Sequence, residues 1–376
     1  MNDPRDKRSW SGITYYLGQS LQKNVGDVDF LGPVKLPYLL DKTLRAIQKF
    51  TRIVFRKEYY VKHSHLIAWY ASRQLKKRMK GKSYDCIVAP VASTEFSFFK
   101  TNIPSFYVSD ATFRLLSRDY KKDFDRVAAV SMWEGNLMEK RTLRQSSFVI
   151  MSSNWARNSV IEDYNIPAAR VGIQPLAANM DAIPSADIIY KKLGNKKLTF
   201  LFLAVEWERK GGPIAFGVLE ELHRQGVDAK LIVCGCVPPS QFQHPAMEVI
   251  PFLNKNIKAD HDRFEELLTT SHFLLLPTRA DCSLVVGSEA SAYGMPTLTT
   301  DIGGVCDVIK NGENGYCLNF NSSPADYAAL ALEVYTDNER YMNLITTSRK
   351  RFEQHLNWDK WSESFLRFYN SVVPQS

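Results

Sequence analysis

The stretch from Phe273 to Glu289 constrains this chain most. Phe273-Leu274-Leu275-Leu276 is an unbroken apolar run, short enough for a strand buried on both faces. A polar loop follows, Pro277 to Ser283. Then comes a helix-like segment, Leu284 to Tyr293, ended by Gly294 and Pro296. Buried strand, loop and helix start form one unit of a parallel sheet, since parallel strands need a crossover between them. Free N–H groups and the positive helix end meet at the loop, which suits an anion. Two carboxylates, Asp281 and Glu289, flank that point. Carboxylates do not suit a phosphate itself; they suit hydroxyl groups on either side of it. The stretch therefore points to a sugar nucleotide.

The same unit recurs along the chain. In the second half, strands are expected at Leu198–Val205, Lys230–Cys234, Val249–Leu253, Thr297–Thr299 and Tyr316–Leu318. Helical patterns cover Pro213–Arg224, Asp262–Thr269, Pro324–Tyr335, Glu339–Gln354 and Asp359–Tyr369. In the first half, strands are expected at Val28–Leu31, Tyr84–Ala89, Phe106–Val108, Phe148–Met151 and Val171–Ile173. Helices are expected over Tyr38–Phe55, His65–Met79 and Ala128–Gln145, and Ser152-Ser153-Asn154 offers a cap for another. Such alternation predicts an α/β chain of parallel sheets covered on both faces. Met180–Asn195, with its proline and lysines, reads as the connection between halves. The expectation is two doubly wound, Rossmann-like domains, 1–180 and 181–356, with a last helix, about 357–376, packing back on the first. Tandem sheets of this kind leave a cleft between them where ligands bind.

The chain has 376 residues, 45% hydrophobic and 23% charged, which is the balance of a globular protein. No apolar run approaches the roughly 20 residues of a membrane-spanning helix, and Met1 to Lys7 lacks a signal-peptide core. The six scattered cysteines read as reduced core residues of a cytosolic protein. Cys234-Gly235-Cys236 has no second pair nearby, and the histidines are read as forming no HxH or HExxH set, so no metal is expected.

The net charge of +8 is unevenly spread. Between Lys35 and Lys82 only Asp41 and Glu58 are acidic, against a dozen further cations that include Lys42, Arg45, Lys49, Arg52, Arg56 and Lys57. Leu44, Ile47, Phe50 and Val54, then Leu66, Trp69, Tyr70 and Leu75, interleave at helical spacing. Two readings stand: amphipathic helices with solvated basic faces, or a surface for anionic lipid or an anionic acceptor. No nucleic-acid motif accompanies the charge, and no nucleic-acid partner is expected.

The ordered motifs of the second half closely resemble the retaining GT-B glycosyltransferases of family 4. They are Glu208-Arg209-Lys210-Gly211-Gly212, Pro277 to Glu289, Ala290 to Pro296, Asp301-Ile302-Gly303-Gly304-Val305 and Asn311-Gly312-Glu313-Asn314-Gly315. Ser9 to Tyr15, Ser109 to Phe113 and Ser152 to Ala156 look like segments of the same family. The resemblance implies a donor linked to a nucleoside diphosphate, UDP or GDP, and a glycan or lipid-linked acceptor, with no cofactor. It also implies a cytoplasmic enzyme, peripheral on the inner face of the membrane if segment 35–82 binds lipid. Glu289 would bind the ribose hydroxyls, since an ionised carboxylate accepts two hydrogen bonds from a diol. Ser283 and the N–H groups of Leu284, Val285 and Val286 would hold the distal phosphate. Asp281 would hold the donor sugar. Lys210, with Arg209, would neutralise the leaving diphosphate. The base would sit near Phe252, and Gly12 would let backbone approach the diphosphate or acceptor. Asp110 stands with two readings, a helix cap or a sugar contact. Trp10 and Trp207 are read as packing residues.

Four positions depart from the family pattern. Asp281 replaces the usual Glu, Val205 stands where an Arg is common, and Ser109 stands where many members carry His. The chain also begins at Met1-Asn2-Asp3-Pro4, where members have a buried first strand, so that strand is expected to be absent and the first domain weakened. Two rival readings follow. One is an epimerase or phosphorylase-like enzyme of the same fold; the other is a non-catalytic protein that binds sugar nucleotides or a membrane surface.

Overall fold

A computed structural model describes residues 3–254 and 257–373. The chain divides into two compact units, the first made of Met1–Gln174 and Ser362–Ser376, the second of Pro175–Trp361.

The first unit holds a four-stranded sheet of β1 (Ile87–Pro90), β2 (Ser105–Ser109), β3 (Phe148–Met151) and β4 (Val171–Ile173), in that spatial order. All pairings are parallel, with Ala89 opposite Tyr107, Tyr107 opposite Val149 and Ile150 opposite Gly172. β2 and β3 are buried along their whole length, as suits the apolar residues Phe106–Val108 and Phe148–Met151 that fill them. Phe365 and Phe368, on the last helix (Trp358–Val372), cover one face. Their rings lie 5.1 Å from Phe106 and 5.0 Å from Phe148. Gly172 makes room, since a Cβ there would come within 2.6 Å of the Phe368 ring.

Val28–Leu31 is not a strand. The run is apolar enough for one, but Gly32, Pro33 and Pro37 follow it, and proline cannot donate to a ladder. Side chains hold it instead. Asp29 accepts from Lys82 and Tyr84, and Arg78 donates to the carbonyls of Leu31 and Pro33. A helix over Ile13–Asn24 has no counterpart in the sequence reading; it starts at Gly12, with no side-chain cap to announce it.

The second unit is a six-stranded parallel sheet: β5 (Leu198–Leu203), β6 (Ala229–Cys234), β7 (Met247–Ile250), β8 (Phe273–Leu276), β9 (Thr297–Thr300) and β10 (Gly315–Leu318). Its spatial order is β10-β9-β8-β5-β6-β7. From β5 the chain winds outward through β6 and β7, then returns to lay β8 on the other side of β5. Phe200 faces Phe273 across that junction, the rings stacked at 5.8 Å. β9 carries three threonines yet is fully buried; Thr299 Oγ1 donates to the Leu276 carbonyl at 2.7 Å and Thr300 bonds the Tyr327 hydroxyl at 2.9 Å. The helix Pro324–Thr336 opens on a reciprocal cap between Ser323 and Asp326.

Ala186–Gly194, inside the stretch read as a connection, forms 3-10 turns and buries Ile189 and Lys192. Lys192 Nζ donates to the carbonyls of Ile189 at 2.7 Å and Tyr293 at 2.8 Å. Burial pushes its pKa down to about 7.

Candidate active site

Winding reverses between β5 and β8, so the chain leaves these neighbouring strands in diverging directions. In open parallel sheets, ligands bind at the strand ends beside such a reversal. The loop after β5 ends at Gly211, where helix Gly212–Arg224 begins; the loop after β8 runs from Pro277 to Leu284, where helix Val285–Ala292 begins. The backbone ties the two loops together. Arg279 N–H donates to the Arg209 carbonyl at 2.8 Å, and Thr278 Oγ1 donates to the same oxygen at 3.2 Å. Gly211 has φ 80°, and a Cβ there would stand 1.9 Å from the Pro277 carbonyl oxygen. Gly303 has φ 57°, and its Cβ would stand 2.0 Å from the carbonyl oxygen of Asp281. Both positions therefore need glycine.

This scaffold joins Lys210 to Asp281, Nζ to Oδ2 at 2.5 Å, with side chains only 15% and 10% exposed. Arg209 faces Glu206: Nη2 to Oε1 is 2.7 Å, Nε to Oε2 is 3.0 Å, and Nη1 donates to the Ala280 carbonyl at 2.9 Å. The bond from Arg209 holds the Glu206 carboxyl below its usual range.

At the helix start, Ser283 Oγ is buried and has no hydrogen-bond partner among the described residues. Such an atom calls for an explanation. Val285 N–H, one of three expected phosphate donors, turns back to the Ser283 carbonyl at 3.0 Å. The Leu284 side chain is core, and Val286 packs partly buried against it. Glu289 is buried further along the same helix. Phe252 follows β7 with its side chain 70% exposed. Trp207 is a packing residue: its ring lies against Phe202 and Phe242 and closes on Gly212.

Gly12 and Asp110 belong to the first unit. Trp10, Ser11 and Gly12 have φ of 46°, 55° and 89°, three left-handed residues in succession before helix Ile13–Asn24. Two of them are not glycine, which is uncommon. Asp110 follows β2, and the cap of the next helix, Phe113–Asp119, is Thr112, whose Oγ1 accepts from Leu115 N–H at 3.2 Å.

The sequence reading passed over one cluster, in the first unit. Glu134 accepts from Tyr59 Oη at 2.7 Å and lies 2.8 Å from His65 Nδ1. Its legible signal was His63-Ser64-His65, an HxH pair that the sequence reading wrongly took as absent. Among the described residues, His261, Asp262 and Glu265 could group round a metal. Lys258 Nζ, 2.8 Å from Asp262, already supplies positive charge there.

Residues 187–351 match the family described as "Glycosyl transferases group 1", somewhat under half of the chain. The N-acetyl-alpha-D-glucosaminyl L-malate synthase of Bacillus anthracis is 26% identical over 155 residues, 39% of each chain. The matches span between 22% and 52% of the length of the curated relatives. Sucrose-phosphate synthase from Thermosynechococcus elongatus superposes with a TM-score of 0.62 at 14% identity, covering 95% of this chain and 92% of that one. Anabaena HepE, solved in complex with UDP, superposes with a TM-score of 0.59 at 15% identity, covering 81% of each. These likenesses show the fold, two Rossmann-like units of the GT-B class. The family match falls on the unit that carries Lys210 and Asp281 and supports a sugar-transferring enzyme.

Proposed function

We propose that this chain is a retaining, metal-independent glycosyltransferase of family 4. It moves a sugar from a nucleoside-diphosphate donor to a hydroxyl of a glycan or lipid-linked acceptor. One observation carries the reading: Lys210 and Asp281 meet on the two loops that leave the winding reversal. A diphosphate would compete with Asp281 for the ammonium and leave the carboxylate to accept sugar hydroxyls. Asp is one methylene shorter than the family's Glu, and its pairing with Lys210 fixes how far it reaches. Ser283 Oγ and the start of helix Val285–Ala292 would take the distal phosphate, Glu289 the ribose, and the exposed edge of Phe252 the base.

In the proposed reaction, the bond from the anomeric carbon to the diphosphate oxygen breaks while a bond to the acceptor oxygen forms on the same face. The departing phosphate oxygen takes the acceptor proton, so no protein nucleophile is required. Lys210 and the helix start stabilise the charge developing on that oxygen.

The basic segment supports an anionic lipid surface, at the cytoplasmic face, as a further partner. Of helix Tyr38–Val54 only Leu44 is fully buried, and Leu39, Phe50, Ile53 and Phe55 stand exposed beside Lys42, Arg45, Lys49 and Arg52.

The test supplies UDP- and GDP-sugars with a panel of acceptors and follows nucleoside diphosphate release and product configuration. Acceptor-dependent release with retained configuration, unaffected by chelator, is expected. Inverted products, or donor binding with no turnover against any acceptor, would sink the proposal.

A further inference from the structure

His65 opens helix His65–Met79, and its imidazole is fixed on one side only. Glu134 Oε1 receives both the His65 backbone N–H at 3.1 Å and Nδ1 at 2.8 Å, while Oε2 takes the Tyr59 hydroxyl at 2.7 Å. The carboxylate is buried, and its bond to Nδ1 sets the tautomer of the neutral imidazole: in that form the proton sits on Nδ1 and the lone pair on Nε2. Nε2 has no partner among the described residues, and the side chain is 30% exposed. Trp133, the residue before Glu134, stacks on the imidazole, ring centroids 5.2 Å apart at 27°, and is itself 60% exposed. Phe98 meets the same imidazole edge-on at 5.9 Å.

Neighbouring His63 is different. It is engaged by Thr94 at 3.2 Å and the Phe113 ring at 5.1 Å, and burial pushes it down to about 4. Thr94 follows β1 and Phe113 follows β2, so the cluster lies where the strands of this sheet end, the edge that binds ligands in open parallel sheets.

Packing alone does not require an oriented Nε2 lone pair beside an exposed indole. An aromatic face next to a fixed hydrogen-bond acceptor is complementary to a pyranose, which offers C–H groups on one face and hydroxyl donors at its rim. We propose that Trp133 and His65 form a saccharide-binding site of the first unit, with a sugar ring on the indole and a hydroxyl donating to His65 Nε2. On the transferase reading above, this site holds the sugar of the acceptor. Glu134 is a positioning residue that acts through His65.

The experiment uses the full chain labelled with 5-fluorotryptophan, in which Trp133→Phe identifies one of the seven tryptophan resonances. Methyl glycosides of glucose, galactose, mannose and N-acetylglucosamine are titrated in. Saturable movement of the Trp133 resonance by at least one glycoside is expected. His65→Asn keeps a group able to bond Glu134 but removes the outer acceptor; it should weaken that binding at least tenfold with an unchanged melting temperature. His65→Gln, which carries an acceptor near the Nε2 position, should recover part of it. No glycoside-dependent movement, or unaltered binding in His65→Asn, overturns the proposal. The titration needs no turnover. Binding at Trp133 without transfer would refute the transferase reading alone, and transfer without such binding would refute this site alone.

Discussion

Lys210 Nζ lies 2.5 Å from Asp281 Oδ2, although 71 positions of sequence separate the two residues. Each stands on a loop leaving one of two adjacent strands, and each is nearly buried. The pair gives opposite predictions for its two members. Lys210→Met removes the cation that a diphosphate would meet. It should weaken UDP or GDP binding about tenfold and cut turnover by about 100-fold or more. Asp281→Asn leaves that cation without its competitor. Nucleoside diphosphate should then bind as well or better, while transfer still falls by a similar factor because the sugar loses its carboxylate. Calorimetric titration with UDP and GDP, run beside an activity assay, separates the two. Equal loss of diphosphate affinity in both variants would show that the pair serves only to hold the loops together.

Gly303 tests the loop itself. Its φ of 57° and the 2.0 Å approach of a would-be Cβ to the Asp281 carbonyl oxygen leave no place for a side chain. Gly303→Ala should cost about 1–3 kcal/mol of stability and displace Asp281. Turnover is expected to drop more than diphosphate affinity, as read by comparing kcat with the Kd for UDP or GDP.

Glu139 makes the first unit sensitive to pH. The side chain is buried, Oε1 has no hydrogen-bond partner among the described residues, and burial raises its pKa from 4.5 to about 7 against the bonds from Tyr107 and Ser93. The folded chain therefore holds the proton more tightly than the unfolded chain. This contribution is fully present below about 4.5 and is lost as pH rises to about 7. Glu139→Gln should remove up to roughly 3 kcal/mol of the stability lost between those limits. Urea unfolding of both proteins at several pH values measures it, and parallel pH profiles would contradict the assignment.

Lys192 acts in the opposite sense in the second unit. Burial lowers its pKa from 10.5 to about 7, so between those limits the unfolded chain holds the proton more tightly. Its contribution is full above about 10.5 and is lost as pH falls to about 7. Raising the pH from about 7 to about 9 should stabilise the protein by up to roughly 2 kcal/mol through this group. That gain should vanish in Lys192→Met. The variant should still be weaker at high pH, because the carbonyls of Ile189 and Tyr293 lose their donor. The difference between the two unfolding curves against pH is the readout.

Much of this architecture was legible in local pattern. The apolar runs of β3 and β8 coincide with the expected strands residue for residue, since a fully buried strand must be apolar throughout. The helix His65–Met79 matched as well, because Ser64 caps it and its apolar residues recur at helical spacing. Val28–Leu31 failed because an apolar run says nothing about whether a neighbouring ladder exists to receive it. Helix Ile13–Asn24 was missed because it begins after Trp10, Ser11 and Gly12, three left-handed residues in succession, a start that leaves no side-chain signature.

The sequence by itself determined most of the strands and helices, Val28–Leu31 and Ile13–Asn24 apart, and which loops carry charge, because those properties follow from the period and composition of a few neighbouring residues. It placed Lys210 and Asp281 on two strand-to-helix loops and could go no further. Tertiary structure decided the partners: Lys210 with Asp281, Arg209 with the Ala280 carbonyl, and His65 with Glu134 across 69 positions. Partnership depends on which strands lie side by side and how their ends align. That is fixed by packing over the whole sheet, where β8 returns beside β5.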